Sequence, residues 1–429
     1  MVLLSLSVLT SILCFSLLFA LFNNRNVAGI LVINLRCYLP PNKATIEKAV
    51  SECKEKSKQK NSHRRTTTIP LASVPLRKDM LFTDVYSSLL NLHLASFLSL
   101  LVCVLMEILF GLFGKLEFGS LLLGLFICSL HILLYLIFQY HRDSSSFFRS
   151  TVVAGLCAFF VSFIFQTIGL EHFTMIDNDY SLKQLHIRLL SRGLKVSGEF
   201  TNFLFIFIVA FICALTSGCL FASCQEQAVR FSHIDQEFEQ VLSEDTSDSF
   251  RRFLLRLDLI CPLVLAVFYY RRLHEDLAGF LMSGKLYMLH SLLIFVYLFL
   301  HLWSIRQYCQ DFLHTGIEVV QSALAENDTE KIRALPRILR YLIENVFFIV
   351  HKYFIVLSLL GCVCLMRMRI LSISGSFPRV EETSFLFHVV PLACFQSVAE
   401  FLLLWLLATQ FLIAYGSLVW NKLTSILHK

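Results

Sequence analysis

The chain has 429 residues, of which 56% are hydrophobic and 16% charged, with a mean hydropathy of +0.68 and a formal net charge of +6. Soluble domains carry about 25% charged residues, so a string of soluble domains is excluded. No basic patch interleaved with aromatics points to nucleic acid. The apolar residues gather in runs of about 20, long enough to cross a hydrocarbon layer about 30 Å thick. The expected fold is therefore all-α: a polytopic integral membrane bundle of about nine transmembrane helices.

The first apolar run is Val2–Phe22. No basic residue precedes it and no small-x-small site follows it, whereas signal peptides have a shorter apolar region behind basic residues. We read residues 1–22 as an uncleaved first span, with a signal sequence as the alternative. Residues 23–88 form a polar, basic loop, whose dense Lys and Glu from Lys43 onward predict little packed structure. Residues 89–429 form a multi-span helical domain, with spans at about 89–114, 116–138, 150–170, 200–224, 253–270, 285–304, 338–366 and 385–418. Pro391 is expected to break the last run and leave a span near 392–415.

Three connectors carry helical periodicity of their own. In 181–192, Leu182, Leu185 and Leu189 share a face, Ser181 and Gln184 form a candidate capping box, and Gly193 can end the helix. In 226–242, Phe231, Ile234, Phe238 and Val241 line up, and in 306–325 Tyr308, Phe312, Val319 and Leu324 do so. Asn327 and Glu330 can then cap the helix that leads into the eighth span. The 14 cysteines lie mostly inside apolar runs and read as packing thiols. Cys362-Val-Cys364 has no His or Cys pair at zinc-finger spacing beside it.

With the N-terminus outside, the cytosolic side receives 24 Lys and Arg and the other side 11, which favours a cytosolic C-terminus. The sequon Asn327-Asp328-Thr329 then faces the cytosol and stays unused.

Charges at bilayer depth cost about 2.5–3.5 kcal/mol each on insertion scales. The spans nevertheless hold Glu107, Arg256, Asp258, Lys352 and Glu400, with Glu344 near a boundary. Arg256 and Asp258 are two residues apart and point away from one another on a helix. Each then needs a partner on another helix or in a water-filled cavity. Lys352 is the expected partner of Asp258, and Glu107, Glu344 or Glu400 that of Arg256. Pro262 frees a backbone carbonyl and kinks its helix, which is tolerated where the helix lines a cavity or is buried in protein. These residues read as a polar seam, with two alternatives open. It is an ion or proton path, or it is packing glue with Arg256 snorkelling to the end of its span.

His93, His131, His290, His301, His351 and His388 scatter over the spans, and His290 and His301 share a helical face. Lone membrane histidines more often bond between helices than hold metals, so neither a metal nor a cofactor is expected. An intramembrane transferase would centre on His351 beside Asn345 and Glu344. No Ser/His/Asp order, HExxH or phosphate-gripping Gly loop occurs, and the expectation is a protein without catalytic activity.

Several elements carry a resemblance along the whole chain. Leu35-Arg36-Cys37-Tyr38-Leu39-Pro40-Pro41 follows the first span, and Thr68-Ile69-Pro70 closes the basic loop. GLEHFTMIDNDYSLKQLHIRLLSRGL precedes the fifth span, and Cys261-Pro262-Leu263 sits in the sixth. IRQYCQDFL and TEKIRALPRILRYL flank the connector into the eighth. Together they resemble the transmembrane protein 161 family, of which this chain would be a divergent, invertebrate-like member. It departs from that pattern around Asp258, where the family has neutral polar residues. The resemblance implies a multi-pass membrane protein without an established catalytic activity, associated with control of ion currents and excitability and with resistance to oxidative stress. It supplies Arg36, Tyr38, Pro41 and Pro262 as structural markers and no catalytic residue.

The expected partners are the lipid bilayer and other membrane proteins such as channels. The expected location is the plasma membrane or an endomembrane of the secretory pathway. The leading functional expectation is modulation of ion currents through partners. The alternatives are a transporter or channel that uses the seam, protection against oxidative stress, and an intramembrane transferase.

Overall fold

The computed structural model describes residues 6–25, 27–58, 69–77, 85–112, 119–142, 145–168, 174, 176, 178–193, 196–240, 246–281, 283–326, 328–376 and 390–427. The helices are α1 (Leu6–Arg25), α2 (Ala28–Val32), α3 (Lys43–Lys58), α4 (Val85–Leu112), α5 (Gly119–Arg142), α6 (Ser145–Ile168), α7 (Asn178–Ser191), α8 (Gly198–Gln240), α9 (Thr246–Val267), α10 (Arg271–Leu281), α11 (Ser283–Ala325), α12 (Thr329–Ser376) and α13 (Leu392–Leu427). Strands β1 (Arg36–Tyr38) and β2 (Ser73–Pro75) pair antiparallel, Cys37 opposite Val74.

Eight of these helices are long and apolar enough to cross a membrane: α1, α4, α5, α6, α8, α11, α12 and α13. The chain is an all-α, multi-pass membrane protein. The sixth expected span, 253–270, is α9 as far as Val267, but Asp248, Arg251, Arg252, Arg256 and Asp258 leave that helix too charged to count with the eight. At about 1.5 Å per residue, the 43 residues of α8 and α11 and the 48 of α12 far exceed one bilayer crossing. The connectors, 226–242 as far as Gln240 and 306–325 in full, are thus continuations of α8 and α11, as their helical periodicity predicts.

α12 is the axis of the bundle. Its apolar stretch is buried throughout, and α4, α5, α8, α11 and α13 pack around it. α1 lies at the edge against α4, with most of its side chains exposed as a lipid-facing helix requires. α6 packs on α8 through Gly155 and Gly218, where a Cβ built on either would lie 4.0 Å from the Cα of the other. A Cβ at Gly155 would come 3.0 Å from the Ala214 carbonyl oxygen, so a larger residue there would push the two helices apart by a few tenths of an ångström.

Among the described residues of 23–88, the expectation of little packed structure is overturned at α3. Ile46, Ala49, Val50 and Cys53 put one apolar face on α3, and that face packs with Ile69 against Val320, Ala323, Ile332 and Leu335. The charged residues counted there occupy the other faces of the helix. Gln310 clamps β1 to α11, accepting from the Arg36 N–H at 2.8 Å and donating to the Arg36 carbonyl at 3.0 Å. Tyr38 packs edge-on against His314, and Pro41 stands half-buried just ahead of α3. Burial raises the Cys37 thiol above its ordinary range, so it stays a packing group.

Two capping expectations are corrected. Helix α7 begins at Asn178, so Ser181 is internal, and its hydroxyl bonds that of Ser397 on α13 at 2.6 Å. Gly193, at φ 77°, does end α7. The N-cap before α12 is Asp328, whose carboxylate accepts from the Glu330 and Lys331 N–H groups. Asn327, Phe238 and Val241 fall where side chains lie outside the described residues. Pro391 stands immediately before α13, as the sequence predicts.

Candidate functional site: a buried polar seam

The seam exists, with different pairings from those expected. On α9, Arg256 and Asp258 do point apart. Arg256 is half exposed and shares Asp235, near the end of α8, with Arg252, at 3.1 and 2.6 Å. It therefore behaves as a snorkelling residue and meets none of Glu107, Glu344 or Glu400. Asp258 is wholly buried. Its Oδ1 is 3.0 Å from His301 Nδ1, and its Oδ2 accepts from Gln227 Nε2 at 3.0 Å and from the Tyr308 hydroxyl at 3.2 Å. The expected pair with Lys352 is not formed: Lys352 reaches Glu226 on α8 at 3.3 Å and lies 4.7 Å from the centre of the Phe348 ring.

Two cations missing from the expected seam complete it. Arg367 and Arg369 were assigned to the loop after a span ending at 366, yet α12 continues to Ser376 and buries both. Two residues apart, they reach opposite sides of α12. Arg369 meets Glu107 on α4 at 2.9 Å, and Glu107 also accepts from the Ser120 N–H at 2.7 Å and from the Ser120 hydroxyl. Arg367 meets Glu400 on α13 at 2.7 Å, with the Tyr269 and Tyr287 rings beside it. Both expected acids are thus seam members, each with an arginine. Glu344 is exposed on the outer face of α12 and is not part of it.

His290 ties this end to α9. Its Nδ1 is 2.8 Å from Arg367 Nη1, a group that only donates, so Nδ1 accepts. Its Nε2–H then donates to the Leu265 carbonyl at 3.1 Å. Phe268, Tyr269, His274, Leu286, Tyr287, His290 and Arg367 enclose a cavity of about 10 Å³, room for roughly one water. On α10, burial and the nearby Arg367 lower the affinity of His274 for protons.

α11 carries a polar stripe through all of this: His290, Tyr297, His301, Tyr308, then Asp311 and Thr315. Tyr297 accepts from Gln410, and Tyr308 packs 5.4 Å from Tyr353. Arg230 on α8 meets Asp311 at 3.3 Å, Thr315 at 2.9 Å and Glu226 at 3.6 Å. The spacings of 7, 4, 7, 3 and 4 are a heptad seam, legible in the sequence once His290 and His301 are placed on one face.

His351 does not join Asn345 and Glu344. The Asn345 amide donates to the Tyr341 carbonyl, while the His351 ring packs 4.8 Å from His93 and 5.7 Å from Tyr135. Among the described residues, no group of three or more His, Cys, Asp or Glu is arranged to hold a metal. Pro262 is buried inside α9, one turn past Asp258, and His388 lies outside the described residues. Comparisons with protein-family profiles, with curated proteins and with solved structures found no match.

Proposed function

We propose that this multi-pass membrane protein acts on ions directly, without catalysis, using Asp258 as a carboxylate that exchanges a proton or small cation. One observation carries the reading. Glu107, Glu400, Glu226 and Asp311 each have a lysine or arginine beside them. Asp258 is wholly buried, yet among the described residues only Gln227, Tyr308 and His301 reach it, and the His301 imidazole is the one group there that can carry a positive charge. A buried charge without a fixed counter-ion is expensive. A mobile counter-ion removes that cost, and groups of this kind in membrane bundles mark ion pathways. The chain's resemblance to the transmembrane protein 161 family, associated with ion currents, agrees with this reading.

The test is flux. Purified protein in liposomes loaded with a pH-sensitive dye, then with a Na⁺- or K⁺-sensitive dye, should discharge an imposed gradient. Asp258→Asn should abolish the signal while leaving the protein folded. Equal flux in Asp258→Asn and the parent chain overturns the proposal.

A second reading rests on the extramembrane ends of α11 and α12. With α3 and the β1–β2 ribbon they form a packed platform, on which partner channels could be bound and their currents modulated. Currents that change in expressing cells, without flux in liposomes, would favour it.

A further inference from the structure

His93 on α4, His131 on α5 and His351 on α12 meet inside the bundle, away from Asp258. All three are buried, with ring centres 4.1 Å apart for His93–His131 and 4.8 Å for His93–His351. Both nitrogens of His93 and both of His351 lack a hydrogen-bond partner. Those of His131 are both engaged, by Ser96 Oγ at 2.6 Å on Nε2 and by Ser358 Oγ on Nδ1. Buried polar groups left unpaired carry the full desolvation cost, so four such nitrogens around one saturated ring require an account.

Hydrogen-bond direction supplies it. The Ser96 hydroxyl donates to the His93 carbonyl at 2.9 Å. Having one hydrogen, it can only accept from His131, so His131 carries its proton on Nε2. Nδ1 then accepts from the Ser358 hydroxyl. Ser358 has a second acceptor within reach, the Cys362 thiol one turn along α12. If a proton arrives on Nδ1, Ser358 can turn its own hydrogen to Cys362 Sγ and accept from Nδ1–H. The ring gains a charge without losing a hydrogen bond.

We infer that His131 is a second, separate proton-binding site within the bundle, switched by Ser358 and walled by the neutral rings of His93 and His351. The step balances: one solvent proton forms the Nδ1–H bond, the Ser358 O–H stays intact and only reorients, and nothing is oxidised. Among the described residues, the titratable groups beside the stack and its serine are Tyr135 from α5, Cys362 from α12 and Cys128 from α5, whose thiol bonds that of Cys362. Lys352, next to His351 in sequence, turns to Glu226. α8 contributes Ser223, which bonds Tyr135 at 3.3 Å. Metal binding does not fit, because both His131 nitrogens are committed to serines.

The experiment is nitrogen-15 NMR of the full chain, labelled at histidine, in lipid nanodiscs from about pH 8 to about pH 3, a range that covers buried as well as exposed histidines. One ring should pass from the Nε2–H tautomer to the doubly protonated form, and its signals should be missing in His131→Gln. Should His131→Gln not fold, Ser358→Ala serves, since it leaves the ring in place and removes the switching hydroxyl. The ratio of protonated to neutral ring at a given pH should then fall about tenfold, because a charged N–H bonds more strongly than a neutral one. A His131 ring that stays neutral throughout, or a Ser358→Ala titration identical to the parent's, overturns the inference. Flux through Asp258 is read separately and can survive or fail independently.

Discussion

The two ends of the seam solve the same problem differently. Around Arg367 and Arg369, each buried cation faces a glutamate on a neighbouring helix, and α12 is stitched to α13 on one side and α4 on the other. Around Asp258 the acid is equally buried, but its donors are an amide, a phenol and an imidazole. The first arrangement is electrically closed and holds helices in register. The second has no lysine or arginine, and the imidazole is the one donor there that can carry a charge. On the function proposed above, packing glue and ion path, which the sequence presents as alternatives for one seam, would occupy different parts of it.

The sharpest way to break this contrast is Arg369→Met. It strands Glu107 at the α4–α12 contact, and removing one partner of a buried pair costs about 3–5 kcal/mol. Unfolding in mild detergent should show a loss of that size, and Arg369→Met combined with Glu107→Gln should recover most of it. A double variant no more stable than the single one would mean that the pair is not glue. Lys352→Met should cost less, about 1–3 kcal/mol, the range for an unsatisfied buried group, because Glu226 keeps Arg230 at 3.6 Å.

Asp258→Asn should cost less again. Asparagine matches the carboxylate in shape and strands no cation, so the loss expected is under about 1 kcal/mol, typical of one net hydrogen bond, even as flux disappears. Combined with Lys352→Met, the two losses should add to within about 0.3–0.5 kcal/mol, as for sites that share no partner. Strong coupling would restore the Asp258–Lys352 pair that the sequence suggests and the structure replaces.

That replacement shows what the sequence withholds. Helix type and the reach of α8 and α11 beyond the bilayer follow from apolar runs and periodicity, because those signals are local. Pairings across helices depend on rotation and depth, which no run of residues encodes. Asp258 and Lys352 are matched by charge alone, but Glu226 lies on the buried face of α8 and takes the lysine. Arg367 and Arg369 were missed because two charges look like the end of a span. The apolar residues on both sides of them, Cys364-Leu365-Met366 and Ile370-Leu371, were the available signal. In α3, dense charge hid the face made by Ile46, Val50 and Cys53. The histidine stack draws on three helices and has no signature along the chain.

The smallest expected effect lies where the closed end of the seam meets α10. Buried His274 faces Arg367 from α12 and Tyr287 from α11, and burial first, then that arginine, lowers its proton affinity, while Glu275 on its own helix opposes them. An unfolded histidine titrates near pH 6.5. Below that pH the unfolded chain binds the proton more readily than the folded one, so stability falls with pH. The full contribution is present above about pH 6.5 and fades on acidification. Acid should therefore loosen α10 locally while the Arg–Glu stitches hold. Amide exchange in α10, corrected for its intrinsic pH dependence, should quicken between about pH 7.5 and about pH 5.5 in the parent chain and change less in His274→Gln. An equal response in both would move the sensitivity off His274 and leave the closed end insensitive to acid through this residue. Acid effects on flux would then have to arise at Asp258 or in the histidine stack.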